Sequence, residues 1–277
     1  MKQKNLWQKS ANENISFKPL KTLLVSDLII IGGGYTGCSA ALFAVNNGLS
    51  VTLIDQKIGH GGSGRNVGLV NAGLWLPPEK VENILGVDAG SKLNKALAKT
   101  PDLVFDLIDK YDIKCSANRS GTLHCAHSQN GLKDIQKRYQ QLSTRGAELE
   151  LLDKQQTNQR IGSSKFFGAL FNKSAGTINP LSYCIGLALA AQSKGANIYE
   201  TTLATKIQSI NGHWLIKTTE GSIKAKMLLI ATNAYQQPIK GIKSPEYTSV
   251  HYFQVATNPL PEKDTKMICR MVRAVGI

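Results

Sequence analysis

Two short, β-branched apolar runs, residues 28–31 and 51–54, frame the most strongly patterned part of the chain. Each predicts a buried parallel strand. The small-residue stretch between them predicts the crossover helix that parallel strands need. Downstream, residues 81–85 predict a helical turn. Residues 91–111 have helical spacing interrupted at Thr100-Pro101, so they predict two helices or one kinked helix. Residues 114–126 predict a β-hairpin, and 131–145 an amphipathic helix. Residues 148–152 and 166–171 predict strands around a short helix starting near Asp153. Residues 180–194 form a strong helical pattern, with Asn179 as N-cap and Gly195 closing it. A strand at 197–200 follows, then a meander over 204–210, 213–218 and 222–225 with Asn211-Gly212 as a turn signal. Residues 227–231 predict another buried parallel strand, and 246–259 one more.

The glycines after the first run give this pattern its chemistry. Gly32, Gly34 and Gly37 fall at G-x-G-x-x-G spacing, with Ala41 and Gly48 beyond them, and the second strand ends in Asp55. Gly32 lets the chain turn out of the strand. Gly34 lets a pyrophosphate approach the backbone, and Gly37 with Ala41 lets the helix pack closely on the sheet. The helix N-terminus offers N–H groups and a positive dipole end to the phosphates. Asp55, eighteen residues past Gly37, stands where a carboxylate can accept both ribose hydroxyls. Residues 56–76 hold six glycines, too many for a helix interior. They predict a loop that runs along a flat ligand, continuing into an anchored apolar run at 69–76.

Composition narrows the class. At 42% hydrophobic and 19% charged residues, the 277-residue chain can bury a core. No apolar run reaches the length of a membrane span, and no secretory signal is clear. The net charge of +14 is spread along the chain without a basic stripe carrying aromatic rings, which argues against a nucleic-acid partner. Five cysteines, an odd number with no C-x-x-C, predict thiols in a reducing, cytoplasmic compartment; they and the histidines show no metal spacing.

The segments IIIGGGYTGCSAAL, GGSGRNVGL, GTINPLSYCIGLALAA, LLIATNAY and FQVATNPLPE occur in this order over residues 20–262. In them the chain resembles the FAD-dependent amine and D-amino acid oxidases, the group of glycine oxidase and γ-glutamylputrescine oxidase. The resemblance implies an α/β fold: an FAD-binding, Rossmann-type parallel sheet with an incomplete mixed α+β substrate domain. It implies an arm at 1–26, an FAD-binding domain at 27–76 and 175–240, a substrate domain at 77–174 and 241–262, and an unmatched tail at 263–277. Gly32, Gly34, Tyr35, Thr36 and Gly37 would line the FAD pyrophosphate, and Asp55 with Gln56 the adenosine ribose. Ser63, Arg65, Asn66, Val67 and Gly68 would run beside the ribityl chain and flavin, which would be held non-covalently. Ala204 would touch adenine through its backbone, and Ala231, Thr232 and Asn233 would close the cofactor channel. A Cβ at Gly34 is expected to harm flavin binding more than one at Gly33, which is not a fingerprint position.

The implied chemistry is oxidation of a C–N bond in a small amine or amino acid, with hydride transfer to flavin N5 and no dedicated nucleophile. The resemblance stops near Glu262, so the chain reads as truncated. A catalytically inactive, FAD-binding remnant is therefore the competing reading. A pyridine-nucleotide reductase is disfavoured by the lack of a second complete G-x-G-x-x-G unit.

Overall fold

The computed structural model describes residues 5–11, 15–243, 246–248, 250, 253–265 and 275–276. In chain order its elements are α1 (Leu6–Ser10), β1 (Leu23–Ile31), α2 (Tyr35–Asn46), β2 (Val51–Ile54), β3 (Leu69–Val70), α3 (Pro78–Leu85), α4 (Val87–Ala98) and α5 (Thr100–Lys110). Then come β4 (Thr122–Cys125), α6 (Gln129–Ser143), β5 (Leu149–Leu152), α7 (Lys154–Ile161), β6 (Ala169–Asn172), β7 (Gly176–Thr177) and α8 (Pro180–Ser193). The series closes with β8 (Asn197–Tyr199), β9 (Ala204–Ile210), β10 (His213–Thr218), β11 (Ser222–Ile230), α9 (Glu262–Thr265) and β12 (Val275–Gly276). Two compact units result. One comprises Met1–Val67, Ile113–Cys115 and Asn179–Gln254; the other comprises Gly68–Asp112, Ser116–Ile178 and Val255–Ile277.

The first unit is built on a six-stranded sheet in the order β8-β2-β1-β11-β10-β9. β8, β2, β1 and β11 run parallel, and β10 and β9 complete an antiparallel meander. Ile29, Ile30, Val51, Leu53 and Ile54 are fully buried, as expected for strands covered on both faces. One core cluster gathers Leu20, Ile29, Ile31, Ile54, Ile207, Ile216 and Ile223. α2 and α8 pack against each other, with the Tyr35 and Tyr183 rings edge to face at 5.5 Å between centroids. Asn179 caps α8 by accepting from the Leu181 and Ser182 amides, both at 3.1 Å.

Thr52, on β2, is fully buried, and its hydroxyl has no hydrogen-bond partner among the described residues. A buried hydroxyl without a partner opposes folding. Thr52→Val is therefore expected to stabilise the fold by about 1 kcal/mol, read as a raised melting temperature. A lowered one would show that the hydroxyl is satisfied.

The second unit holds a four-stranded sheet, β12-β4-β6-β5, and the two-stranded β3-β7. Its core clusters centre on Leu123, Cys125, Leu152 and Ala169, and on Ala126, Ile135 and Leu170.

Several expectations change. The hairpin at 114–126 does not form. β4 pairs instead with β6, from Thr122↔Asn172 to Cys125↔Ala169, and Asn118 bridges to Thr177. Positive φ at Ser116 and Gly121 turns the chain out of the path a hairpin strand would follow. The 91–111 pattern is two helices, α4 and α5, that meet at Lys99, and the turn at 81–85 is the end of the longer α3. The apolar run at 69–76 is held by β3, by Thr122 Oγ1 donating to Asn71 Oδ1 at 2.8 Å and by the Gly73 amide donating to Leu97 O at 3.3 Å, but Leu74, Trp75 and Leu76 are exposed. The separate strands at 222–225 and 227–231 are one strand, β11. It pairs with β1 along its length, but β10 covers only Ser222–Ala225 on its other flank. Along 227–230 that flank meets no other described strand, and Met227 and Ile230 are exposed rather than buried. Among the described residues of 246–259 there is no strand, and Phe253 and Val255 are more than nine-tenths exposed; 249, 251 and 252 lie outside the described residues.

Candidate cofactor-binding site

β1 delivers the glycine turn to one end of the parallel strands. Gly32 has φ +114°, and its amide donates to Ile54 O at 2.9 Å, so the chain leaves the sheet where β2 ends. A Cβ on Gly32 would lie 2.5 Å from Ala231 O, which places the turn beside the end of β11. The Ala231 amide donates in turn to Ile31 O at 2.8 Å. Gly37 sits in the first turn of α2, and a Cβ there would stand 1.8 Å from Gly32 O. Only glycine lets the helix approach this closely. Gly32, Gly37 and Ala231 are thus brought together by backbone contact.

Asp55 follows β2, as its position in the sequence predicts. Its carboxylate accepts the Gly33 amide at one oxygen and the Lys57 amide at the other, the latter at 3.0 Å. Each carboxylate oxygen keeps a further lone pair, so both can still accept from a ligand hydroxyl. Glu200, which sequence reasoning did not single out, holds the turn after Asp55. It is buried and accepts from the Ile58 amide at 2.9 Å, Lys57 Nζ at 3.0 Å and the Phe17 amide at 3.2 Å. No local motif marks it, because its partners lie 142, 143 and 183 residues away in sequence. Gln56 is exposed, and its carbonyl accepts from the Thr201 amide at 3.1 Å.

The glycine-rich loop folds back on the N-terminus of α2. Ser63 Oγ accepts the Tyr35 amide at 3.0 Å, while helix geometry leaves the Thr36 and Gly37 amides without intrahelical acceptors. Asn66 Nδ2 donates to Ser63 O at 2.7 Å and to the Tyr35 hydroxyl at 3.3 Å. That hydroxyl donates to Pro180 O at 3.3 Å, and burial pushes the Tyr35 phenol pKa up, so it remains a donor. Arg65 is exposed, with its guanidinium 5.1 Å from the centre of the Tyr235 ring. Val67 is also exposed. Ala204 is buried at the start of β9. Thr232 Oγ1 donates to Gln236 Oε1 at 3.1 Å, and Asn233 adopts φ +50°. Gly68 falls in the second unit, where it accepts from the Ile178 amide at 2.9 Å.

These residues fit a dinucleotide diphosphate. The amides of an α-helix N-terminus open beside Gly34, where an added Cβ would meet only Ser63, with its Oγ at 2.9 Å. Gly33 and Gly34 differ in the room around them. A Cβ on Gly33 would meet Ile58 Cδ1 at 2.2 Å and Asp55 Cβ at 3.3 Å, so Gly33 is more tightly packed than Gly34. Gly34 has φ −87°, which alanine adopts freely. Gly34→Ala is therefore expected to keep the fold and lose about 1–3 kcal/mol of FAD binding, the usual cost of an extra methyl in a close contact. Flavin titration checks this, with circular dichroism as the folding control. Unchanged affinity would show that no ligand comes close to Gly34.

A profile of the DAO family, described as FAD dependent oxidoreductase, matches residues 27–274, continuing past the point near Glu262 where the resemblance was expected to stop. The γ-glutamylputrescine oxidoreductase of Escherichia coli K12 is 31% identical over 228 residues, 82% of this chain and 53% of that protein. A probable oxidoreductase OrdL of Rhizobium meliloti is 32% identical over 238 residues, 85% of this chain and 55% of that one. The crystal structure of glycine oxidase from Geobacillus kaustophilus superposes with a TM-score of 0.63 at 22% identity, covering 75% of this chain and 55% of that one. The chain spans about half the length of the curated relatives it matches. With the fingerprint turn, the acid after β2 and this match over most of the sequence, the chain belongs to the DAO family of FAD-dependent oxidoreductases, and its cofactor is FAD.

Proposed function

We propose that the protein takes part in FAD-dependent oxidation of a C–N bond in a small amine or amino acid, in the cytoplasm. One observation carries the cofactor half of this reading: the first turn of α2, opened by Gly34 and packed on β1 through Gly37, stands next to the Asp55 carboxylate. The substrate half is supported by the relatives, among them a γ-glutamylputrescine oxidoreductase and a glycine oxidase. When bound, FAD supplies the hydride acceptor.

The chain's own residues bind and orient. The amides of Thr36 and Gly37 and the dipole of α2 take the diphosphate. Asp55 accepts from the ribose, held in place by the Gly33 and Lys57 amides. Ser63, Arg65, Asn66 and Val67 would lie along the remainder of the cofactor, and Ala204 and Ala231 to Asn233 would bound it. Residues 77–174 and 241–262 would supply the substrate-binding part.

The test is to add FAD to the purified protein and follow the flavin band under nitrogen with a panel of amino acids and polyamines. Bleaching by one of them supports the proposal, and a colourless protein overturns it. Among the described residues no strand covers the outer flank of β11 along 227–230, which favours a second reading, cofactor binding without turnover. Flavin that binds and is bleached by none of the panel would establish that one instead.

A further inference from the structure

The N-terminal helix α1 has five residues, too few to persist in water on its own. Its capping box is closed: the Gln8 amide donates to Asn5 Oδ1 at 2.9 Å, and the Asn5 amide to Gln8 Oε1 at 3.1 Å. Two further bonds are long-range. Trp7 Nε1 donates to Asn66 O at 2.9 Å, across 59 residues of sequence. Ser10 Oγ accepts from Asn179 Nδ2 at 3.1 Å, and Asn179 is the N-cap of α8.

Asn66 is the residue on which the glycine-rich loop closes. Through its side chain it reaches Ser63 O and the Tyr35 hydroxyl, and Ser63 Oγ accepts the first amide of α2. One chain of hydrogen bonds therefore runs from the Trp7 indole through Asn66 and Ser63 to the turn that faces the diphosphate.

We propose that α1 is a strap that holds the glycine-rich loop in its cofactor-binding form, with Trp7 as its positioning residue. This rests on the functional reading above, because the loop matters only if it carries FAD. The strap touches no reacting atom; it acts through Asn66. Strap docking and FAD binding are then linked, and each strengthens the other.

The test uses the full chain and two probes. Trp7→Phe keeps an aromatic ring and removes the indole donor. It is expected to weaken FAD binding about fivefold, the usual effect of one lost hydrogen bond, while adenosine, which has no phosphate and engages only the Asp55 end, binds as in the wild type. Trp7→Ala should weaken FAD binding further, again without affecting adenosine. In the wild type, FAD should slow proteolytic cleavage before residue 11. Equal FAD affinity in all three proteins would overturn the strap and leave the functional reading standing. Parallel loss of FAD and adenosine binding with a lowered melting temperature would also overturn it, by reducing Trp7 to a general structural role. A wild-type chain that binds no FAD would overturn both.

Discussion

Gly37→Ala is expected to destabilise the fold severely. The added methyl would stand 1.8 Å from Gly32 O and 3.0 Å from Gly32 C, and both atoms are backbone. A flexible side chain could rotate away, but a carbonyl in the turn after a buried strand cannot. To remove the overlap, α2 would have to lift off β1, and with it the buried face of Cys38, Ala41, Leu42 and Ala44. Overpacking in a close-packed interior typically costs about 1–3 kcal/mol, and backbone overlap puts this case at or above the upper end. That is a large part of the margin of an ordinary domain. Urea unfolding followed by circular dichroism reads the effect. A variant whose midpoint matches the wild type would show that the helix has more room than its packing on β1 indicates.

The second large effect is expected at Asp55, and here the fold and the ligand must be separated. Asp55→Ala removes an acceptor for the ribose, and hydrogen bonds to a charged group are worth about 1.5–3 kcal/mol. FAD affinity should therefore fall roughly tenfold to a hundredfold. The same change strips the Gly33 and Lys57 amides of their acceptor, so the turn after β1 loosens as well. Asp55→Asn separates the two effects. It keeps one acceptor oxygen and the side-chain shape, so the fold should be nearer wild type while FAD binding still falls. FAD titration of both variants beside their urea midpoints checks this. Wild-type affinity in Asp55→Ala would remove the residue from the cofactor site.

The first unit was legible in the sequence because its signals are local. The apolar runs, the glycine spacing, the small residues of α2 and the acid after β2 all lie within residues 28–55, and each one's physical task can be stated without its neighbours. The N-cap at Asn179 is equally local. What could not be read depends on partners far away along the chain. β4 looks like half of a hairpin until β6, with Leu170 opposite His124, takes the place of the nearby partner. Glu200 sits among threonines with nothing to mark it; its importance comes from Phe17, Lys57 and Ile58 converging on one buried carboxylate. Trp7 reads as an aromatic on an arm until Asn66 O is found at its indole nitrogen. Gly33 shows the limit of motif reading. It lies outside the fingerprint, yet Ile58 and Asp55 crowd the space a side chain would need. The apolar pattern of 227–231 predicts a buried parallel strand but does not reveal that, among the described residues, no strand covers one flank of it.

The thiols carry a different consequence. Cys38, Cys115, Cys125 and Cys184 are all buried. Cys38 and Cys184 lie where α2 meets α8, and Cys184 Sγ donates to Gly33 O at 3.4 Å. The hydrogen bond that the Cys38 thiol gives to Cys184 and burial both push the Cys38 pKa up, away from the thiolate that reacts. An alkylating reagent can reach such a sulfur only when the two helices part. The labelling rate at Cys38 would then measure how often α2 and α8 open, on the same scale as the slow exchange of a core amide. Two ordinary buried cysteines thus give the interface behind the glycine turn its own clock.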